Sequence, residues 1–285
     1  FAGIGTLLFH MLTKWKVPAF LGSSFAFLGG YAAIAPILED GSASPLLPYA
    51  CFGVACAGLV YLVLAGLFKA FGVRKVMRFF PPIVTGPIII SIGLNLSSTA
   101  IASCNASWGV ALVAIVVVIV CNIWGKGMIR IIPILMGVIA SYAVGAMFNQ
   151  TDFSAVSQAA WIGPPVDWGK SVFGLFTGGE VDKTLLLTAA ITIVPISLAT
   201  IVEHIGDICA ISSTCGQNFV EDPGLHRTLT GDGLATSLAA LFGAPANTTY
   251  GENTGVLALS RVYDPRVVRI AAVLAIIFSF CPKFS

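Results

Sequence analysis

The chain has 285 residues, of which 57% are hydrophobic and only 10% charged, and its mean hydropathy is +0.93. A soluble domain carries roughly 25% charged residues, so this composition excludes an ordinary soluble globule and indicates an all-α polytopic membrane protein whose surroundings are membrane lipid. The net charge is only +2 and the basic residues fall in short clusters between apolar runs, which sets nucleic acid aside as a partner.

Apolar runs bounded by charges or by Pro/Gly turns predict helices over Phe1–Leu12, Phe25–Leu38, Pro48–Phe71, Ile83–Ala102, Trp108–Trp124, Ile129–Met147, Thr184–Thr214, Leu229–Phe242, Gly251–Ser260 and Val267–Phe280. The first run is shorter than the roughly 20 residues of a spanning helix, and the chain opens at Phe1, so it reads as cut inside a helix. No basic segment followed by a small-residue cleavage site marks a signal peptide. With the Lys14/Lys16 connection on the cytoplasmic side and the runs alternating, 12 of the 15 Lys and Arg residues collect on that side, and only Lys170, Lys183 and Lys283 lie opposite. That bias supports a multi-pass protein of the cytoplasmic membrane. The seven cysteines form no CxxC or Cys/His metal spacing and read as small buried hydrophobes.

Two runs are short and broken. Pro18–Phe25 leads into one apolar helix and Gly243–Gly251 into another, each as an extended, polar, Gly/Pro-punctuated segment. In lipid, non-helical backbone is tolerated only where it is buried or lines a cavity. Interrupted segments at corresponding places in two halves point to a transporter's midplane site. The expected architecture is an inverted-repeat transporter with two broken helices containing short extended segments.

The chemistry-bearing residues lie on and near these segments. Glu203 and Asp207 stand at i and i+4 inside a long apolar run, so a helix puts both on one face, roughly 6 Å apart. Carboxylates that close resist double ionisation, and one should carry a proton at neutral pH. Glu252 lies in Asn247–Gly255, where an acid at a helix start both suits the dipole and sits beside the free amide of Gly251. His204 is turned about 100° from Glu203 and reads as a packed polar residue; His10 and His226 read as peripheral. Asp232, between Gly231 and Gly233, reads slightly in favour of structure, and the run Asp222-Pro223-Gly224-Leu225-His226-Arg227 as a structural loop. The chain lacks His-Glu-x-x-His, Gly-x-Ser-x-Gly and a phosphate-cradling glycine loop, so it is read as no enzyme. One asymmetric cluster of unlike groups suits stoichiometric binding better than a pore.

Gly22-Ser23-Ser24-Phe25-Ala26-Phe27, Glu203-His204-Ile205-Gly206-Asp207, Asp222 to Arg227 and Asn247 to Arg261 together resemble the nucleobase/ascorbate transporter family, which includes bacterial uracil and xanthine permeases. The resemblance implies fourteen helices in two inverted repeats, divided into core and gate domains and often dimeric. It assigns 1–80 to the first part of the core, 81–150 to gate helices, 151–181 to an extracytoplasmic loop and 182–285 to the second part of the core. By comparison the family's first helix and last three are missing, so a 285-residue piece is expected to insert without transporting. The resemblance also implies a substrate site of Glu203, Glu252 and the backbone amides of Phe25 and Gly251, with Glu203 and Asp207 linked to a proton as coupling ion and no other cofactor or metal. Tyr250, Asn253, Ser24 and His204 are candidate cavity-lining residues. Two carboxyl acceptors and two backbone donors match the N–H and carbonyl groups of a uracil ring. Glu252 resembles the uracil carriers and Asp207 the xanthine and urate carriers. The expected function is proton-coupled uracil import, with a xanthine/urate permease or an anion carrier of the same fold as alternatives.

Overall fold

The structure, a computed structural model, describes residues 1–38, 42–76, 78, 82–151, 153–176 and 181–283. The described residues are mostly helical. The helices are α1 (Ala2–Leu12), α2 (Leu28–Ile34), α3 (Leu47–Phe71), α4 (Val73–Val76), α5 (Pro82–Cys104), α6 (Trp108–Trp124) and α7 (Met128–Ile131). They continue with α8 (Pro133–Met147), α9 (Ser154–Gln158), α10 (Lys183–Ile193), α11 (Ile196–Cys215), α12 (Leu225–Leu241), α13 (Gly251–Ser260) and α14 (Pro265–Ser279). Two three-residue strands, β1 (Leu21–Ser23) and β2 (Asn247–Thr249), pair antiparallel.

Local chemistry sets several ends. The Asp182 side chain accepts from the backbone N–H groups of Thr184 and Leu185 at 2.8 and 3.1 Å and starts α10. Asp264 does the same for Arg266 at 2.8 Å, with Pro265 in the first helical position where its missing N–H costs nothing. Gly216 stops α11 in the left-handed conformation, φ 66°, which a residue without Cβ adopts freely.

Three expected helices are shorter or divided. The run Thr184–Thr214 is two helices, because Pro195 has no N–H to continue the ladder of α10. Pro133 likewise separates α7 from α8 within the expected Ile129–Met147. The segment expected as Phe25–Leu38 opens as a tight 3-10 turn over Phe25–Phe27 and ends at Ile34, just before Ala35-Pro36. The expected loop 151–181 holds α9 and two 3-10 turns, Trp168–Lys170 and Val172–Phe176. The helix expected from Leu229 starts four residues earlier, at Leu225, so of the expected loop Asp222–Arg227 the last three residues belong to the first turn of α12.

The centre of the fold is the packing of α3 along α12. Gly58 and Gly233 face each other: a Cβ on Gly58 would stand 2.6 Å from the Gly233 carbonyl oxygen, and one on Gly233 2.7 Å from that of Gly58. Small residues thus let the two backbones touch. Beside them Ser237 Oγ donates to the Ala55 carbonyl at 2.9 Å. One buried cluster, with Phe9, Tyr61, Phe68, Ile205 and Leu229, joins α1, α3, α11 and α12; a second, with Phe27, Val54 and Ile193, joins the other half of α3 to α10 and the turn before α2. Leu47–Phe71 and the stretch Lys183–Cys215 are long and apolar enough to cross a membrane, and shorter apolar helices include α1, α6 and α8. On α6, Leu112, Ile115, Val116, Ile119 and Ile123 are all exposed, a continuous apolar face that water does not favour.

At one end of this core the connection from α1 to β1 is tied down by later parts of the chain. Lys16 Nζ pairs with Asp222, in the turn containing the cis Asp222–Pro223 bond. Arg269 stacks over the Trp15 ring, 5.0 Å from its centroid, and Arg227 donates to the Leu12 carbonyl at 3.2 Å. The Lys16 ammonium holds the Asp222 carboxyl below its ordinary range. A carboxyl whose folded pKa is lowered contributes to stability above its unfolded value and loses that contribution as pH falls through the folded one. Asp222→Asn should therefore lower the thermal midpoint slightly and equally from pH 8 to about pH 5, with the difference beginning to shrink near the ordinary carboxylate value of about 4 and vanishing once the pH passes the lowered folded one. A difference that grows on acidification would contradict the pairing.

Candidate functional site

The strand pair builds the site. Leu21, Gly22 and Ser23 pair with Thr249, Thr248 and Asn247, so two segments from opposite ends of the chain lie side by side, each running directly into a helical turn. The register is locked at both ends: Ser24 N–H donates to the Ala246 carbonyl at 2.8 Å, and Tyr250 N–H to the Phe20 carbonyl at 3.1 Å. Thr6 Oγ1 accepts from Leu21 N–H at 2.9 Å, so α1 supplies a partner that a strand at the edge of a two-stranded sheet would otherwise lack. The Tyr250 ring lies over Gly22, where a Cβ would be 2.5 Å from it, and the Tyr250 and Ser23 hydroxyls approach to 3.4 Å. Only glycine at 22 admits this ring.

Alongside runs α11, which carries Glu203 half-buried and, one turn on, Asp207 buried. The Asp207 carboxylate lies directly against Gly251, the first residue of α13: a Cβ there would stand 2.7 Å from its Oδ1. An acid in this place meets the positive end of the α13 dipole. Asp207 is therefore in contact with the second broken segment as well as sharing a helix face with Glu203. Glu252 occupies the first turn of α13, and its side chain lies outside the described residues.

Phe25 is exposed and lines a cavity of about 500 Å³ with Tyr31 from α2 and Ser98 and Thr99 from α5. Ser24 is half-buried at the end of β1. Asn253 lines a different and smaller cavity, about 180 Å³, with Pro18, Phe20 and Val268. A space of about 700 Å³ between α5, α6 and α8 holds none of the acids. The structure thus brings together Asp207, Gly251, Tyr250 and the end of β1, and sends Asn253 to another face of α13.

Two histidine readings are corrected. His204 does not line an open cavity: it is 1% exposed, with Nδ1 2.5 Å from Thr249 Oγ1 and 3.2 Å from Asp232 Oδ2. Its position 100° round α11 turns it inward, as expected of a packed polar residue. His10 is not peripheral; it is fully buried, with Nε2 2.9 Å from the Ala19 carbonyl. The buried stripe Thr6, Phe9, His10, Thr13 follows the i, i+3, i+4, i+7 pattern of a core-facing helix, a signal that marks His10 as internal. The reading of the cysteines holds for Cys51 and Cys121, whereas Cys209 is exposed and the other four are half-buried. Sequence reasoning also passed over Tyr61, whose hydroxyl donates to Thr200 Oγ1 at 2.6 Å, one turn before Glu203. A tyrosine within a long apolar helix, needing a partner for its hydroxyl, was the available sign.

A family model described as the permease family, that of the xanthine/uracil permeases, matches residues 1–285. The chain is 40% identical over 293 residues to the uracil permease of Bacillus caldolyticus, covering 100% of this chain and 65% of that protein. It is 38% identical over 297 residues to the uracil permease of Bacillus subtilis, with 100% and 65% covered, and 31% identical over 296 residues to that of Escherichia coli K12, with 100% and 64% covered. The chain thus spans about 65% of the length of the Bacillus relatives. These relatives are named as permeases and not as enzymes. With a family match along its whole length and relatives at 38–40% identity that are named as permeases, the chain belongs to the permease family and is a membrane protein.

Proposed function

We propose that the full protein is a proton-coupled nucleobase symporter that imports uracil across the cytoplasmic membrane. The observation that carries this reading is the β1–β2 pairing, which sets the starts of two helices beside the acids of α11. A planar ring with two N–H donors and two carbonyl acceptors suits Glu203 and Glu252 as acceptors and the amides of Phe25 and Gly251 as donors. The names of the relatives support uracil as the base. In this reading the two strand-bearing segments belong to inverted repeats, residues 1–80 and 182–285 form a core, and residues 81–150 are gate helices that rock against it. Residues 151–181 lie on the extracytoplasmic side, and the assembly is a homodimer.

Proton coupling is assigned to Glu203 and Asp207. Uptake of labelled uracil should fall as external pH rises, and Asp207→Asn should flatten that dependence. A variant that keeps the parental pH profile removes Asp207 from the coupling.

Asp207 favours a second reading, a xanthine or urate permease. Uracil is preferred because Glu252 would touch the base directly, whereas Asp207 lies against Gly251 behind it. Competition decides: excess unlabelled uracil should displace labelled uracil at lower concentration than xanthine does. The reverse order would overturn the assignment.

A further inference from the structure

Behind the acids, three side chains from three elements meet out of reach of solvent. His204 on α11, Thr249 on β2 and Asp232 on α12 are 1%, 4% and 0% exposed. Thr249 Oγ1 donates to Asp232 Oδ1 at 3.1 Å, while His204 Nδ1 lies 2.5 Å from Thr249 Oγ1 and 3.2 Å from Asp232 Oδ2. A hydroxyl has one proton to give. Since that proton goes to the carboxylate, the Thr249 oxygen is the acceptor toward His204, and the hydrogen must sit on Nδ1. With the hydrogen on Nε2 instead, a bare Nδ1 lone pair would face a hydroxyl oxygen and a carboxylate, three acceptors in a buried space with one donor among them. Nε2 has no hydrogen-bond partner among the described residues, and the Phe9 and His204 rings meet edge to face with their centroids 6.4 Å apart. Among the described residues no acceptor competes for the hydrogen.

The triad joins immediate neighbours of the site. His204 follows Glu203 in the chain, and Thr249 precedes Gly251 by two residues. We infer that His204, with its hydrogen on Nδ1, is a positioning residue: it clamps β2 to α11 and α12 and so sets where the Gly251 amide stands relative to Glu203 and Asp207. This rests on the nucleobase-binding reading of that site. β2 has other ties, from Thr236 Oγ1 to the Asn247 carbonyl at 2.9 Å and from Asn247 Nδ2 to the Phe1 carbonyl at 3.2 Å. Loss of the clamp therefore loosens the strand without unfolding the core.

The test has two arms on the full chain in lipid nanodiscs. In the first, nitrogen NMR of protein labelled with ¹⁵N-histidine, with the His204 signal identified by its loss in His204→Asn, reads which ring nitrogen carries hydrogen. A protonated Nδ1 is expected, and a bare Nδ1 overturns the inference. The second arm uses bond counting: an asparagine amide nitrogen sits as many bonds from Cα as Nδ1, and a glutamine amide nitrogen as many as Nε2. His204→Asn should keep uracil affinity within about threefold, whereas His204→Gln should weaken it about tenfold or more at a thermal midpoint close to that of His204→Asn. Equal losses in the Asn and Gln variants, or losses that track the thermal midpoint, overturn the positioning role. A parental protein that binds no uracil sinks the substrate reading instead, and the NMR arm, which needs no ligand, then decides the clamp.

Discussion

Glu203→Gln should reduce uracil affinity by about ten- to a hundredfold, the loss of roughly 1.5–3 kcal/mol that accompanies removal of a hydrogen bond to a charged group. The residue sits half-buried on α11, one turn from the Asp207 carboxylate that rests on Gly251, so the change falls where two elements of the proposed site converge. Glutamine keeps the volume and one carbonyl oxygen but places an amide donor where a ring N–H would also donate, so a match becomes a clash of donors. Binding of labelled uracil to purified protein measures the effect. Near-parental affinity in the glutamine variant would take Glu203 out of the site, whatever happened to transport.

The largest loss of stability is expected at Gly233→Ala. The added methyl would stand 2.7 Å from the Gly58 carbonyl oxygen and 2.5 Å from Tyr61 Cβ, and neither atom can swing away as the end of a long side chain could. Relief requires α3 and α12 to move apart along the central contact of the fold, an overpacking that costs about 1–3 kcal/mol or more. Gly66→Ala on the same α3 is the control. A Cβ there meets nothing within 4 Å, so the substitution should be harmless or stabilising by up to about 1 kcal/mol from helix propensity. Thermal midpoints in detergent compare them. Equal midpoints for the two variants would mean that the close approach of α3 and α12 is not what holds the core.

These two residues illustrate what was open to inspection in the sequence. Gly231 and Gly233, on either side of Asp232, read as suited to close packing, yet the partner surface, Gly58 on a helix 175 positions earlier, is set by tertiary contact and has no local signature. Hydrophobic runs placed α6 and α13 residue for residue, because sharp polar or glycine boundaries flank them. The same averaging over apolar residues hid the division at Pro195, where hydropathy continues although the hydrogen-bond ladder does not. The acids of α11 were visible as charges too costly to leave in hydrocarbon without a role. Which of them touches the second broken segment was not visible: helix periodicity puts Glu203 and Asp207 on one face, and only the arrival of β2 and α13 selects Asp207 as the one against Gly251. His10 was legible from its stripe of neighbours and was overlooked because a lone histidine near a basic cluster suggests an edge.

The strand pair also constrains the order in which the protein can be assembled. β1 is synthesised early, but its ladder partner lies more than two hundred residues downstream, Ser23 pairing with Asn247. At ribosomal rates of about 5–20 residues per second this gap corresponds to roughly 10–45 s. During that time the Thr6 hydroxyl can serve Leu21, but the groups that β2 will later satisfy have no protein partner, and in hydrocarbon each such group costs several kcal/mol. The first half of the chain therefore has reason to stay in a hydrated or sheltered setting until the second half arrives, making the core a late product of biogenesis. A ribosome paused before residue 247 would hold a nascent chain with α1 and α3 already made and the backbone of β1 still waiting for its ladder.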